Sequence, residues 1–177
     1  PLFGALAADA LPDARVAVLA DASGGYPSTP AINETIGGRW GAHDNLPDWP
    51  EAEGIVPAEF GLPDLFVLGG THAPDVVMAR FDNAHDEVQR TFSALAGIGQ
   101  EGLLPLLDAN EARIEAAGVE LSVYVAPGGA HTVLGRGALY DLTVEGTRFV
   151  DWLATLVAGR VPGDVHCVDC GAPTAPG

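Results

Sequence analysis

The sequence contains no lysine, only two cysteines and no long apolar run. Its eight basic residues are all arginine, and 24 acidic residues outnumber them, which gives a formal net charge of −16. An acidic surface repels phosphate backbones and anionic lipid headgroups, so neither nucleic acid nor a membrane is an expected partner. No segment approaches the roughly 18 apolar residues that cross a bilayer. With 177 residues, 47% of them hydrophobic, the chain can form one domain with a real core.

The two cysteines, Cys167 and Cys170, lie near the C-terminus in the segment His-Cys-Val-Asp-Cys. A zinc ribbon needs a second such pair, and a redox Cys-x-x-Cys usually opens a helix near the start of a thioredoxin-like unit. We therefore interpret the pair as a local disulfide of a secreted, extracytoplasmic protein. We expect no metal and no organic cofactor.

Helical and strand patterns alternate along the chain. Strands are predicted over 15–20, 75–81 and 119–125, with 65–69 as a further candidate that ranks below 75–81; the alternation in 119–125 is typical of a strand at or near an edge. Helices are predicted over 1–11, 31–40, 86–95, 103–117 and 144–157. Residues 41–63 contain four prolines and are expected to be irregular. We expect Trp40 and Trp49 in the core.

Strands that alternate with helices predict an α/β fold with a mostly parallel sheet flanked by helices. Functional sites of such sheets form at the carboxyl ends of the strands. Asp21, Asp86 and His131 each follow a predicted strand, and glycines adjoin His131 in a loop that can aim its ring. The order acid then histidine matches the order of a hydrolase triad after its nucleophile.

Four short motifs resemble one family of enzymes. Residues 86–89, Asp-Glu-Val-Gln, are similar to the aromatic-Asp-x-x-Gln motif of the pectin acetylesterase and Notum family of carboxylesterases. Residues 19–24 resemble its Asp-Ser/Ala-Gly loop, 129–131 its histidine loop, and 169–170 its closing cysteine segment. The resemblance covers residues 1–170 and leaves 171–177 as a flexible tail or linker.

This resemblance implies the C-terminal portion of an α/β-hydrolase that cleaves esters with a Ser-Asp-His triad. It makes Asp86 the acid and His131 the base. The family's Gly-x-Ser-Ala-Gly elbow, which directly precedes the helix at 1–11, is missing. We therefore expect the nucleophile upstream of Pro1, in an N-terminal half that could be a separate partner chain, and we expect this chain alone to be inactive. His85 replaces the usual aromatic residue, and the loop after Asp21 is longer than usual.

Alternatives remain open for the site residues. Asp86 could simply cap the following helix, and Asp82 is a competing acid that ranks second because Gln89 fits the family motif only in the Asp86 register. His131 could be an ordinary loop histidine. Ser23 is disfavoured as a nucleophile because the prolines after it break helices, whereas an elbow must feed one.

We expect Ser23 to line a substrate pocket together with Asp21 and Tyr26. The expected substrate is a small-molecule or polysaccharide ester that carries an acyl or acetyl group. The alternative function is a non-catalytic α/β-hydrolase-like binding domain.

Overall fold

A four-stranded parallel sheet lies at the centre of the computed structural model, which describes residues 1–95 and 102–171. Its strands pair in the order β1 (Ala17–Asp21), β2 (Val77–Asn83), β3 (Leu121–Ala126) and β6 (Val165–His166). Every pairing in this sheet is parallel. A separate antiparallel hairpin consists of β4 (Thr143–Val144) and β5 (Thr147–Arg148).

Helices flank the sheet, so the predicted α/β class with a mostly parallel sheet is confirmed. In the described ranges they are α1 (Leu2–Ala10), α2 (Pro30–Ile32), α3 (Leu62–His72), α4 (Glu87–Leu95), α5 (Leu104–Ala116) and α6 (Phe149–Val157). A π-helical turn over Asn33–Gly37 and three 3-10 turns connect α2 to α3.

An aromatic cluster joins α6 to one face of the sheet. Phe149 packs edge-on against Phe81 and Tyr124, with ring centroids 5.0 Å apart in both pairs. Tyr124 also packs edge-on against Trp152 at 5.5 Å. Such pairs each contribute about 0.5–1.5 kcal/mol beyond their area burial. The buried Tyr124 hydroxyl donates to the carbonyl oxygen of Thr147 at 2.7 Å, so this polar group keeps a partner.

The other face of the sheet packs against α1, α3 and α5. Phe66 of α3 and Ile114 of α5 are buried there against Met78 and Val123 of the central strands. Successive side chains of a strand point to opposite faces. Arg80 lies two positions after Met78 in β2, so its side chain points to the same face, towards α5.

One strand candidate is wrong: residues 65–69 lie inside α3 rather than in the sheet. A short apolar run cannot distinguish a strand from a buried helix turn by periodicity alone. The helix start is fixed by Asp64, whose carboxylate accepts the backbone N–H of Gly61 at 2.7 Å. The preferred candidate, 75–81, is confirmed as β2.

The helix predicted over 31–40 is confirmed, because residues 30–39 are helical throughout, with a π-helical turn over Asn33–Gly37. The prediction over 144–157 begins too early, because its first residues form the β4–β5 hairpin and α6 starts at Phe149. Strand β3 is buried along its whole length, with Ser122 Oγ donating to the carbonyl oxygen of Pro162 at 2.7 Å.

Neither Trp40 nor Trp49 lies in the core, contrary to expectation. Trp40 is 70% exposed. The Trp49 ring stacks on His72 with centroids 3.8 Å apart. His72 also contacts two carboxylates: its Nδ1 is 3.1 Å from Glu51 Oε2, and its Nε2 is 3.1 Å from Asp9 Oδ1. The ring thus ties α1 and the irregular segment to α3.

The His72→Phe variant should have a lower thermal stability than the wild type, and the difference should depend on pH. Burial lowers the pKa of His72, but hydrogen bonds to Glu51 and Asp9 outweigh it and raise this pKa above its ordinary value. The contribution of the charged His72 ring to stability is therefore fully present below about pH 6.5, the ordinary pKa of histidine. It is lost as the pH rises through the raised pKa of the folded state. His72→Phe keeps a ring for Trp49, so its Tm deficit should be small and confined to mildly acidic pH. A deficit that is constant from acidic to alkaline pH would contradict this account.

Candidate active site

Asp86 has two tasks in the structure. It precedes α4, and its Oδ1 accepts the backbone N–H groups of Val88 at 2.9 Å and Gln89 at 3.0 Å, as a helix N-cap does. Its Oδ2 lies 2.9 Å from Nδ1 of His131. The carboxylate is fully buried. The sequence left a helix cap and a partner for His131 as alternatives for Asp86, whereas here one carboxylate makes both contacts because its two oxygens face different groups.

His131 contacts Asp86 through one of its two ring nitrogens. The side chain is 33% exposed, while that of Asp86 is 0% exposed. In the described part of the chain, Nε2 has no hydrogen-bond partner. An Nδ1–H that donates to the carboxylate leaves the lone pair of Nε2 available to accept a proton. A histidine held in this way could act as a general base.

The histidine loop is tied to the turn that carries the acid. Asn83 at the end of β2 donates its Nδ2 to the carbonyl oxygen of Ala130 at 2.8 Å. The backbone N–H of His85 donates to the carbonyl oxygen of Gly128 at 2.9 Å. Gly128 has a φ of +114°, which side-chain-bearing residues rarely adopt. Asp86 and His131 are therefore positioned by neighbouring parallel strands, β2 and β3.

Asp82, the competing acid, contacts a different set of groups. Its Oδ2 lies 2.7 Å from Nε of Arg80, and its Oδ1 accepts the N–H of Gly24 at 2.9 Å. Burial raises the pKa of the Asp82 carboxyl above its ordinary value, against the opposing effects of Arg80 and the hydrogen bonds from Gln89 and Gly24. Of the two acids, Asp86 is the one that contacts His131.

Gln89 connects both acids to the loop after β1. Its side-chain Nε2 donates to Asp82 Oδ1 at 2.9 Å and to Asp86 Oδ2 at 3.0 Å. Its Oε1 accepts the N–H of Gly25 at 2.6 Å. The residue is fully buried. One amide group thus donates both of its N–H bonds to two neighbouring acidic side chains.

Asp21 lies at the end of β1, and its carboxylate contacts the histidine loop. Oδ1 accepts the backbone N–H of Val133 at 2.9 Å, and Oδ2 accepts that of Leu134 at 2.8 Å. The loop residues that follow His131 are thus held by a side chain from the far end of the sequence. These contacts engage both oxygens that were expected to face a substrate.

Ser23 follows Ala22, which has a left-handed φ of +61°. Its Oγ is buried and has no hydrogen-bond partner among the described residues. The next helix, α2, starts only at Pro30, so the strand does not feed directly into a helix as a nucleophile elbow requires.

Tyr26 lies between the acids and an apolar cleft. Burial, and then the charges of Asp86 and Asp82, raise the pKa of its phenol. Its ring packs against Phe92 with centroids 5.6 Å apart. The cleft holds a cavity of about 80 Å³ and is partly open to solvent. Apolar groups form most of its surface, including those of Ile32, Ile36, Phe60, Leu65 and Phe92. Neither His131 nor Asp86 lines it, so Tyr26 is the link between the two.

Cys167 and Cys170 are bonded to each other, which confirms the predicted disulfide; their Cα atoms are 5.2 Å apart. His85 Nε2 lies 3.1 Å from the carbonyl oxygen of Cys170 and 2.8 Å from that of Gly171. The disulfide hairpin therefore contacts the residue that precedes the acid. The tail predicted over 171–177 falls, apart from its first residue, outside the described residues.

Two site residues went unpredicted or underweighted. Arg80 is only 1% exposed and supports Asp82 from inside the sheet. The sequence offered a sign of this pairing, because Arg80 is a lone arginine in an otherwise apolar predicted strand, and a buried arginine rarely lacks a partner. Gln89 was noted for its place in a motif, but the sequence did not show that it joins the two acids.

No protein-family model, curated protein or solved structure matches this chain. Within the described ranges, no helix is both long and apolar enough to span a bilayer. A functional assignment therefore depends on the geometry around His131.

Proposed function

We propose that this chain forms the acid–base part of a serine carboxylesterase, with His131 as the general base and Asp86 as its orienting acid. The observation that carries the proposal is the 2.9 Å contact between Nδ1 of His131 and the buried carboxylate of Asp86. Together with the unengaged Nε2, it matches the roles of base and acid in a Ser-His-Asp triad. No metal or organic cofactor takes part in the proposed reaction.

In the proposed reaction, Nε2 of His131 takes the proton of a serine hydroxyl as its oxygen attacks the ester carbonyl carbon. The carbonyl electron pair moves to the oxygen, and Asp86 stabilises the imidazolium that forms. The imidazolium then gives its proton to the alcohol oxygen while the C–O bond to the alcohol breaks, leaving an acyl-serine. Water repeats the sequence, which releases the acid and restores the serine.

The serine and the oxyanion donors are proposed to lie in an N-terminal part of the same protein, in one polypeptide or as a partner chain. Strand β1 pairs with β2 on one side, and in the described part its other edge has no neighbour. A strand that carries a Gly-x-Ser-x-Gly elbow could pair with this open edge. Its serine would then emerge at the same end of the sheet as Asp21, Asp86 and His131.

The apolar cleft beside Tyr26 favours an ester whose acyl group is apolar. Its walls offer carbon atoms rather than hydrogen-bonding groups, so burial of a short hydrocarbon chain would be favourable there. The net charge of −16 supports neutral or cationic substrates over polyanions. The alcohol could be a small molecule or a saccharide. The disulfide fits an oxidising compartment and supports a secreted location.

Labelling with a fluorophosphonate probe tests where the nucleophilic serine lies. The isolated chain should remain unlabelled, because Ser23 lacks both a base contact and an elbow. A polypeptide that also contains the upstream elbow should be labelled on that serine alone. The readout is fluorescence in a denaturing gel, with site mapping by mass spectrometry. Label on Ser23, lost in Ser23→Ala, would transfer the nucleophile to this chain.

A second candidate is a binding domain that keeps the fold without turnover. It is favoured by the fact that, in the described residues, no serine contacts His131, while the apolar cleft is well formed. Such a protein would bind apolar acids or esters through the cleft, and this affinity would persist in His131→Ala. If the fluorophosphonate probe failed to label the polypeptide that contains the elbow, the result would favour this binding domain.

A further inference from the structure

The loop after His131 contains a strained residue that has its own support. Thr132 has a φ of +66°, in the left-handed region that β-branched residues rarely adopt. Such conformations persist only where surrounding contacts enforce them. The next two backbone N–H groups, of Val133 and Leu134, both donate to the carboxylate of Asp21. No other side chain in the described part accepts from them.

His131 is therefore held from both sides. Before it, the carbonyl oxygen of Ala130 accepts from Asn83 at 2.8 Å. After it, Asp21 fixes the backbone at 2.8–3.1 Å. The first support comes from β2 and the second from β1, so the direction of the ring depends on two strands that the sequence places far apart.

We propose that Asp21 is a positioning residue: it stabilises the left-handed conformation of Thr132 and thereby points the His131 ring at Asp86. This inference rests on the proposed role of His131 as a base. It assigns no substrate contact to Asp21, whose two oxygens are engaged by the loop. Removal of the carboxylate lets Thr132 relax to negative φ, and this turns the ring away from Asp86.

The test reads the ring directly in the isolated chain and needs no catalysis. Nitrogen-15 NMR of labelled histidine distinguishes a ring fixed with its proton on Nδ1 from one that exchanges between tautomers. The wild-type ring of His131 should be fixed, with a strongly downfield proton in the bond to Asp86. Asp21→Ala should lose both signatures. Asp21→Asn should keep part of them, because a carbonyl oxygen at the Oδ2 position accepts both N–H groups.

Two further variants separate positioning from general destabilisation. Asp64→Ala removes another carboxylate that accepts a backbone N–H, one that contacts Gly61 and Arg113 instead of the His131 loop, and should leave the His131 signals unchanged. Asp21→Ala combined with Thr132→Gly should regain part of the fixed tautomer, because glycine adopts positive φ without strain. If Asp21→Ala does not fold, Asp21→Asn takes its place and must show a smaller fixed fraction than the wild type.

The inference would be overturned if Asp21→Ala kept the His131 signals of the wild type, or if Asp64→Ala lost them to the same extent. It would also be overturned if the His131 ring of the wild-type chain had no fixed tautomer. In a polypeptide that hydrolyses esters, Asp21→Ala should lower kcat about 10²-fold with little change in KM, as expected for a misplaced base. If the fixed tautomer depends on Asp21 but the protein has no esterase activity, the positioning role of Asp21 stands and only the proposed function is refuted.

Discussion

Replacement of His131 by alanine is expected to lower kcat for ester hydrolysis by about 10⁴-fold or more in the polypeptide that carries the nucleophile. Without Nε2, nothing takes the proton of the serine hydroxyl, and nothing returns it to the leaving alcohol. Because the ring is one-third exposed and its loop is held by backbone contacts, the fold should remain intact. KM should change little, since the ring acts in the transition state.

Initial-rate kinetics with an aryl ester measure this effect, and circular dichroism checks the fold. His166→Gln is a matched control, because His166 contacts Glu111 at 3.5 Å and has no contact with Asp86. It should retain near-wild-type kcat. Hydrolysis by His131→Ala within tenfold of the wild type would remove His131 from the mechanism and leave the contact with Asp86 as a structural one.

Replacement of Arg80 by methionine is expected to reduce the free energy of unfolding by about 3–5 kcal/mol. The side chains of Arg80 and Asp82 are 1% and 0% exposed, with Nε and Oδ2 2.7 Å apart. Methionine fills much of the volume but leaves the Asp82 carboxylate buried without a counter-ion. Removal of one partner of a buried pair costs far more than the pair itself contributes.

Urea unfolding at neutral pH measures the loss as a lower midpoint with an unchanged m-value. Arg80→Met combined with Asp82→Asn removes both charges and should be clearly more stable than Arg80→Met alone. Arg113→Met breaks an ion pair with Asp64 in which Arg113 is 45% exposed, and it should cost at most about 1 kcal/mol. Equal losses in the Arg80 and Arg113 variants would show that burial of the charge is unimportant.

The order of the main elements could be predicted from the sequence because strands and helices differ in period. Residues 75–81 and 119–125 gave recognisable patterns, and both became strands of the parallel sheet. The failures involved tertiary effects. Residues 65–69 formed a helix since an apolar run suits either state, and Trp40 stayed exposed although its size favoured burial.

The candidate site was predictable where it depends on strand ends. The carboxyl ends of β2 and β3 meet at one edge of the sheet, so Asp86 and His131 could be expected near one another. Their direct contact, and the role of Asp86 as a cap at the same time, follow from the geometry of the turn before α4. That geometry is fixed by contacts between residues far apart in sequence.

Asp21 shows why the rest could not be predicted. From the sequence it was a polar residue at a strand end, which suits a substrate contact as well as a structural one. Its bonds to Val133 and Leu134 join residues more than 110 positions apart. No local pattern encodes such a pairing, and the strain at Thr132 that makes it important becomes visible only in the folded backbone.

His131 is proposed to activate a serine that lies outside this chain. The most direct measurement is mass-spectrometric mapping of the fluorophosphonate adduct in the polypeptide that contains the upstream elbow, with and without His131→Ala. We predict a single adduct on the serine of the Gly-x-Ser-x-Gly segment and its near-complete loss in the variant. An adduct of equal yield in His131→Ala, or none in the wild type, would contradict the assignment of His131 as the base.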